Sequence, residues 1–421
     1  MKRETINNLL GIKEAYEMPN KLMEILKNKS DREELFENFL KHESDLSFDW
    51  FTDYFQNEQG DREALKQDFT PNCICEIISK LEEPTETVTD ICSGTGGLFI
   101  KHWATNKKAH FHCEEISSRT IPILLFNMAI RGVNGELIHG DSLEQTIECV
   151  YVLKNNGKFS DITKTEYPQQ VKAKKVISNP PYSLSWNPTL KQFDKRFQGY
   201  TLAPKSKADY AFILHGLSQL EDNGTLLAIL PHGVLFRGSA EGKIREQLIK
   251  ENLIDAVIGL PDKLFLNTGI PVLILVLKKN RKNNDVLFID ASKEFVIGKS
   301  KKQNEMSVEN INKVVETYKN RQFVDKFAYI SNIEEITEND YNLNIPRYVD
   351  TYEPPEVPDL LETLNELQNI ELEIKETSIS LLNQMKQLVG TTPKQDRKQK
   401  EEVKKFEEIL VEKYGKEHIY G

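Results

Sequence analysis

From Val88 to Leu277 the chain alternates short β-branched or apolar runs with helix-prone stretches, and this alternation limits its fold more than any other feature. The runs are Val88–Ile91, His110–Glu114, Glu136–His139, Lys175–Ser178, Leu226–Leu230, Ala256–Leu260 and Val272–Leu277. Strands that alternate with helices build a mostly parallel sheet covered on both faces, so a doubly wound α/β fold is expected. Asp222-Asn223-Gly224 and Asn267-Thr268-Gly269 read as turns ahead of the Leu226 and Val272 strands. The second connection is too short for a helical crossover, which predicts that the final strand enters antiparallel.

The flanks have a different texture. Residues 1–66 are charged and helix-prone, with Leu9, Ala15, Leu22, Leu26, Leu35, Phe39 and Leu40 at helical spacing, which predicts a small N-terminal helical domain. Residues 67–350 carry the sheet, and 351–421 a C-terminal helical, coiled-coil-like region. In that region, after Pro354-Pro355-Glu356-Val357-Pro358, Leu360, Leu367, Ile374, Leu381 and Leu388 recur at heptad spacing. Leu364 and Met385 take companion positions, and Glu371 and Ser378 interrupt the seam. Such a helix docks either on its own domain or on another chain. The charged stretch Lys394–Lys405 beyond Gly390 reads as a solvated tail.

A hydrophobic fraction of 39% over 421 residues suffices for one large core with smaller helical additions. No run approaches the roughly 20 apolar residues of a membrane span, and Met1-Lys2-Arg3-Glu4 opens no apolar signal core, so a cytoplasmic protein without membrane contact is expected. Cys73, Cys75, Cys92, Cys113 and Cys149 are odd in number and form no Cys-x-x-Cys pair, which favours reduced thiols over disulfides or a zinc site. His110 and His112 alternate along a strand and read as packing residues, so no metal is expected. A net charge of −10 is unusual for a chain that grips DNA alone; local basic patches or a basic partner would have to supply the phosphate contacts.

The chemistry is concentrated in a few segments. Asp90-Ile91-Cys92-Ser93-Gly94-Thr95-Gly96-Gly97 follows a strand and opens a helix, the place where a nucleotide-like ligand sits in a doubly wound fold. Its glycines let backbone amides approach a ligand, and the lack of Gly-x-Gly-x-x-Gly spacing disfavours nicotinamide and flavin cofactors. Glu115, or its neighbour Glu114, closes the next strand, where a carboxylate can accept from both hydroxyls of a ribose; alternation along the strand separates the two. Asp141 and Ser142 follow the third strand and contact the adenine end of the cofactor or form a structural turn.

Asn179-Pro180-Pro181-Tyr182 follows the fourth strand. An amine conjugated to an aromatic ring is a weak nucleophile, because its lone pair is delocalised. Hydrogen bonds accepted by the Asn179 side-chain oxygen and the Pro180 carbonyl would localise that pair as a methyl group approaches. The prolines stiffen the turn, and Tyr182 offers a ring on which a flipped base can stack. The same four residues could act on the side-chain amide of a protein glutamine, or the fold could persist as an inactive scaffold. Cytosine C5 methylation lacks its Pro-Cys nucleophile.

Over about residues 60 to 355 the sequence resembles the modification subunits of type I restriction-modification systems, which are N6-adenine DNA methyltransferases. Gln67-Asp68-Phe69-Thr70-Pro71-Asn72 is similar to that family's Gln-x-Phe-Thr-Pro segment, Asp90–Gly97 to its Asp-Pro-x-x-Gly-Thr-Gly-Gly turn, and Cys113-Glu114-Glu115 to Gly-Gln-Glu, which favours Glu115. Asn179–Tyr182 matches Asn-Pro-Pro-Phe/Tyr. Asp209–Phe212, Leu230–Gly238, Gly259–Pro261, Thr268–Pro271 and Tyr341–Tyr348 resemble further family segments. Ile91 stands where the family has proline, and the helical region ahead of Phe69 is shorter than is usual there. The resemblance implies a Rossmann-like methyltransferase sheet and S-adenosylmethionine as cofactor. It also implies adenine flipped from double-stranded DNA as substrate. The implied partners are a specificity subunit on the heptad helix, a second modification subunit, and an ATP-dependent restriction subunit. This chain has no Gly-x-x-x-x-Gly-Lys-[Ser/Thr] motif of its own.

Overall fold

The computed structural model describes residues 1–52, 54, 69–169, 171–266, 268–298, 303–352 and 359–420. Gln67, Asp68, Asn267 and the proline-rich segment 354–358 lie outside the described residues, as do 55–66 of the N-terminal region. The chain divides into two compact units, Met1–Thr351 and Tyr352–Gly421.

The first unit is built on one large sheet, with eleven strands among the described residues. In chain order they are β1 (Thr87–Asp90), β2 (His110–Glu115), β3 (Asn134–Asp141), β4 (Thr146–Asn155), β5 (Ser160–Thr165), β6 (Ala173–Ser178), β7 (Leu220–Pro231), β8 (Ile254–Gly259), β9 (Val272–Lys278) and β10 (Val286–Asp290). A small ribbon, β11 (Val296–Ile297) and β12 (Asn304–Glu305), precedes the last sheet strand, β13 (Ala328–Ser331). The spatial order is β13-β10-β8-β9-β7-β6-β1-β2-β3-β4-β5.

Neighbours from β7 through β6, β1 and β2 to β3 are parallel, and β9 runs antiparallel between β7 and β8. Each of the seven apolar runs read from the sequence is a strand, and the Val272 strand has the expected reversed direction. The hairpin β4–β5 on one edge and β10 with β13 on the other extend the sheet beyond those runs. Asp222-Asn223-Gly224 lies inside the start of β7, where the register against β6 shifts and Asn223 takes φ +63°.

Among the described residues the α-helices of this unit are α1 (Arg3–Leu10), α2 (Met18–Lys27), α3 (Lys29–Leu40), α4 (Asn72–Leu81), α5 (Gly97–Thr105), α6 (Ile121–Ile130), α7 (Asp209–Gln219), α8 (Ser239–Lys250), α9 (Val308–Asn320) and α10 (Ile333–Glu338). Every residue of α6 is buried. A helix that is apolar all round needs cover on both sides. The sheet supplies one side, and the N-terminal region supplies the other. Phe36, Phe39 and Phe51 pack edgewise or tilted on Phe126 with ring centroids 5.1, 4.9 and 5.2 Å apart. The N-terminal apolar residues thereby join the same core as the sheet.

In the second unit α11 (Leu360–Gln387) is the long helix predicted by the heptads. The charged stretch that follows is not simply a solvated tail: it forms α12 (Pro393–Tyr414), followed by α13 (Lys416–Tyr420). Leu382 of α11 is buried with Val403 and Leu410 of α12, because Val403, Phe406 and Leu410 make an apolar stripe among the lysines and glutamates. The heptad positions remain exposed, from 73% at Leu360 to 48% at Ile374 and 60% at Leu388.

Candidate functional site

The chain leaves β1 for β2 on one side, and later returns to β6 on the other. Such a switch point opens a crevice at the carboxyl ends of the strands. Here it holds a cavity of about 480 Å³, within the range of small-molecule sites. Phe69, Thr70, Ser93, Gly94, Thr95, Gly97, Glu115, Asp141, Ser142, Asn179, Pro180, Pro181 and Tyr182 all line it. Pro71 and Asn72 start α4, Asp90 and Gly96 are the residues of the glycine turn that face the core, and none of these four reaches the wall. Gln67 and Asp68 lie outside the described residues.

The two left-handed glycines of the turn do different work. Gly94, at φ +57°, gives its N–H to Glu115 Oε2 at 2.7 Å, and a Cβ there would touch only the Phe69 ring, at 3.2 Å. Gly96, at φ +100°, faces the core: a Cβ would fall 2.2 Å from Phe99 and 2.9 Å from Leu124. Ser93 ties the turn down, its Oγ donating to the Asp90 carbonyl at 2.9 Å and its N–H to the Glu114 carbonyl at 3.0 Å. Asp90 is buried, and burial pushes its carboxyl up to about 8; the Cys92 N–H opposes the shift, and Glu115 and Glu114 add to it. Its Oδ2 has no hydrogen-bond partner among the described residues.

Both glutamates border the cavity, against the expectation that alternation turns one of them away, but their carboxylates bond to different elements. Glu115 accepts from Gly94 N–H and, through Oε1, from Ser117 N–H at 2.7 Å. Burial raises its pKa, and these two N–H donors pull it back. Glu114 turns to α7, where His215 Nε2 lies 2.9 Å from its Oε2 and Gln219 donates to Oε1. Burial pushes this carboxyl up too, but His215, Ser142 and Gln219 outweigh it and hold the group below its ordinary range. Asp141 Oδ1 accepts from Leu143 N–H at 2.8 Å and Glu144 N–H at 3.0 Å, closing the turn after β3, and Ser142 Oγ donates to the Ile91 carbonyl at 3.0 Å.

Across the cavity, the Asn179 amide is held at both ends. Its Nδ2 donates to Thr70 Oγ1 at 2.9 Å, and the Tyr182 hydroxyl donates to its Oδ1 at 2.8 Å. The Tyr182 ring stands edge-on to Phe265, centroids 6.1 Å apart. Ser183 follows at φ +51° and gives its N–H to Asp209 Oδ1 at 2.9 Å. Asp209 is wholly buried and paired with Arg237 at 2.7 Å, which is itself forked onto Glu241. The segments Asp209–Phe212 and Leu230–Gly238 thus meet behind the Asn179 turn and anchor it.

Sequence reasoning missed the other side of the wall. Thr52 lines the cavity, brought there by a buried cation. Arg131 donates to the carbonyls of Leu46 (2.9 Å), Phe48 (2.8 Å) and Asn127 (2.8 Å), and Asn127 in turn donates to the Thr95 carbonyl at 2.8 Å and Asp49 at 2.9 Å. Burial lowers the Arg131 pKa to about 9, against the pull of Asp49 and Asp45. Asn127 and Arg131 are one helical turn apart, a polar pair in an otherwise apolar helical run, and that was the available signal. Ile116, Leu143, Trp186 and Lys205 were also missed as lining residues. Apolar or solitary, they carry no pattern.

The family model described as N-6 DNA Methylase matches residues 45–356. The Type I restriction enzyme MpnII methylase subunit of Mycoplasma pneumoniae is 35% identical over 301 residues, 67% of this chain and 53% of that protein. The Type I restriction enzyme MjaVIII methylase subunit of Methanocaldococcus jannaschii is 30% identical over 362 residues, 82% of this chain and 60% of that one. The chain therefore spans 53–60% of the length of these curated relatives. A crystal structure of the type I restriction-modification system methyltransferase subunit from Streptococcus thermophilus is similar with TM-score 0.59 and 40% identity, covering 68% of this chain and 59% of that one.

Proposed function

The chain belongs to the N-6 DNA Methylase family, and from that premise we propose that it transfers a methyl group from S-adenosylmethionine to N6 of an adenine flipped out of double-stranded DNA. The observation that carries this reading is that the Asn179 amide and the glycine turn with Glu115 line one cavity. A cofactor held by the turn and an amine held by Asn179 would share it.

The residues present fit the cofactor. Glu115 takes the Gly94 and Ser117 N–H groups on Oε2 and Oε1, and a carboxylate, with about four lone-pair sites, can accept ribose hydroxyls beside them. Ile116, 44% exposed at the cavity wall, and buried Leu143 offer apolar faces for a flat base. Asp141 spends Oδ1 on its own turn, which leaves Oδ2 to accept from an exocyclic amine. Phe69 packs over Gly94 and, with Thr70, closes the wall on the Asn179 side. When bound, S-adenosylmethionine supplies an electrophilic methyl on a sulfonium.

The remaining chemistry belongs to the chain. Thr70 and Tyr182 fix the Asn179 amide plane, and Oδ1, an amide oxygen and so an acceptor, is the atom offered to the substrate donor. That donor is the adenine amine, whose other hydrogen goes to the Pro180 carbonyl. Pro181 stiffens the turn, and the Tyr182 ring stacks on the base. Removing both hydrogens from competition localises the nitrogen lone pair, a positioning and electrostatic effect without a covalent intermediate.

The division of labour follows the regions read from the sequence: 1–66 as helical cover, 67–350 as the methyltransferase domain, and 351–421 as the partner-binding region. The exposed heptad seam of α11 supports docking to a specificity subunit that reads the DNA, within an assembly that also holds a second modification subunit and an ATP-dependent restriction subunit. A net charge of −10 fits a subunit that borrows its target contacts. The test is transfer of a labelled methyl group to DNA by the purified chain, with and without its specificity subunit. N6-methyladenine is expected in the complex, and its absence from both mixtures refutes the reading.

A further inference from the structure

Arg196 lies in the 183–208 segment between Tyr182 and α7, with its side chain 8% exposed. Its Nη1 donates to the Ser142 carbonyl at 2.6 Å and faces His215 Nδ1 at 2.9 Å. Nη2 donates to the Leu143 carbonyl at 2.7 Å and to Asp194 at 2.7 Å, and Nε is shared between the Asp194 oxygens at 3.1 Å. The guanidinium's N–H groups are thereby all committed.

A guanidinium only donates, so the His215 nitrogen facing it must be the lone-pair nitrogen, and Nε2 carries the hydrogen given to Glu114 Oε2. A buried chain of donors therefore runs from Arg196 through His215 to Glu114. It ends at the strand whose next residue is Glu115. Two successive carbonyls held by one rigid fork fix the peptide planes of Ser142 and Leu143, and Lys191 of the same segment adds a bond to the Leu143 carbonyl at 3.0 Å and a pair with Glu144 at 3.0 Å. Ser142, Leu143 and Glu144 line the cavity, with Ser142 bonded to Ile91 of the glycine turn. The Ser185–Asn187 stretch of the same segment lines the cavity as well.

We infer that Arg196, seated on His215 and Glu114, is a positioning residue that sets the Asp141–Glu144 wall of the cofactor pocket and couples it to the 183–208 segment beside the Asn179 turn. The inference rests on the S-adenosylmethionine reading of that pocket. Cofactor contacts with the wall would then order the segment that borders the substrate side.

Calorimetric titration of the full chain with S-adenosylmethionine and with S-adenosylhomocysteine tests it. Arg196→Met is expected to raise Kd by about tenfold or more at an unchanged number of sites, since charge-assisted bonds to the wall are lost. Arg196→Lys, which cannot reproduce the fork, is expected to fall between Arg196→Met and the native chain. His215→Asn, whose amide oxygen can take the Nδ1 place, should bind nearly as the native chain does, and His215→Leu should resemble Arg196→Met. Hydrogen exchange supplies the coupling readout: cofactor should protect amides of 183–208 in the native chain, and Arg196→Met should abolish that protection. Variants that lose only thermal stability or binding-competent fraction, with native Kd and native protection, overturn the inference and leave Arg196 as scaffold. A native chain that binds neither ligand overturns the cofactor reading itself, and the inference with it.

Discussion

Gly96→Ala isolates what the glycine turn contributes to stability. Gly96 is the N-cap of α5 at φ +100°, ψ 19°, a region in which an L-residue costs about 1–2 kcal/mol. The new methyl would lie 2.2 Å from Phe99 Cε1, 2.6 Å from Phe99 Cδ1 and 2.9 Å from Leu124 Cδ1. Phe99 is fully buried and set edge-on against Phe111 at 5.7 Å, so its ring cannot swing away without disturbing a second one. Overpacking of this kind adds about 1–3 kcal/mol. The expected loss is therefore about 2–5 kcal/mol, a large share of the roughly 5–15 kcal/mol that holds a protein folded. Gly94→Ala is the control: it shares the left-handed strain, but its methyl meets only the rim of Phe69, at 3.2 Å, on the cavity side. It should cost about 1–2 kcal/mol of stability and show its main effect on S-adenosylmethionine affinity. Urea unfolding followed by tryptophan fluorescence, with calorimetric titration alongside, reads both quantities. Equal stability losses in the two variants, or a Gly96→Ala loss under about 0.5 kcal/mol, would refute the division of roles.

Other perturbations address the rest of the site. Asn179→Ala should lower methyl transfer by about 100-fold or more while cofactor affinity is retained, whereas Tyr182→Phe, which keeps the ring and removes the hydroxyl that bonds Asn179, should lower it by less than about tenfold; native turnover of Asn179→Ala would place the chemistry elsewhere. Burial holds the Asp90 carboxyl at about 8 in the folded chain, against about 4 unfolded. The folded state therefore keeps the proton, and the stabilisation is full below pH about 4 and lost as pH rises through about 8. Asp90→Asn should flatten this decline in the urea midpoint between about pH 5 and 8, and an unchanged slope would show that the carboxyl titrates normally. Arg131→Met takes the donor from the half-buried carbonyls of Leu46 and Phe48 and the buried carbonyl of Asn127, should cost about 3 kcal/mol and should weaken cofactor binding through the displaced Thr52 segment. Melting without ligand and titration with it separate the two effects.

Local pattern carried a good part of the molecule. Apolar runs of strand length with turns at fixed offsets are short-range properties, so β1, β2, β3, β6, β7, β8 and β9 could be placed from the sequence, and the brevity of the Gly269 connection gave the reversed direction of β9. Where the pattern was ambiguous it failed. The hairpin β4–β5 is half exposed, with Glu148, Lys154 and Lys164 among its residues, and the short run 286–289 of β10, past a lysine-rich turn, was passed over although it is apolar and buried. In Pro393–Tyr414 the charge density masked a stripe of Val403, Phe406 and Leu410.

By itself, the sequence determined the kind of sheet, the position of the glycine turn at the end of one strand and of Asn179-Pro180-Pro181-Tyr182 at the end of another, and the family to which such a pair points. All of these are periodicities or contiguous motifs, which a chain displays before it folds. Only the tertiary structure decided how the motifs are held: Thr70 and Tyr182 on the two ends of the Asn179 amide, Asp209 and Arg237 behind it, Arg131 drawing the 46–52 segment to the Thr95 side, and Arg196 tying the 183–208 segment to the Ser142 and Leu143 carbonyls. These contacts join residues as far apart as 109 positions. Side chains so distant share no local signature, and only the burial of one against the other makes an ordinary arginine or threonine part of a site.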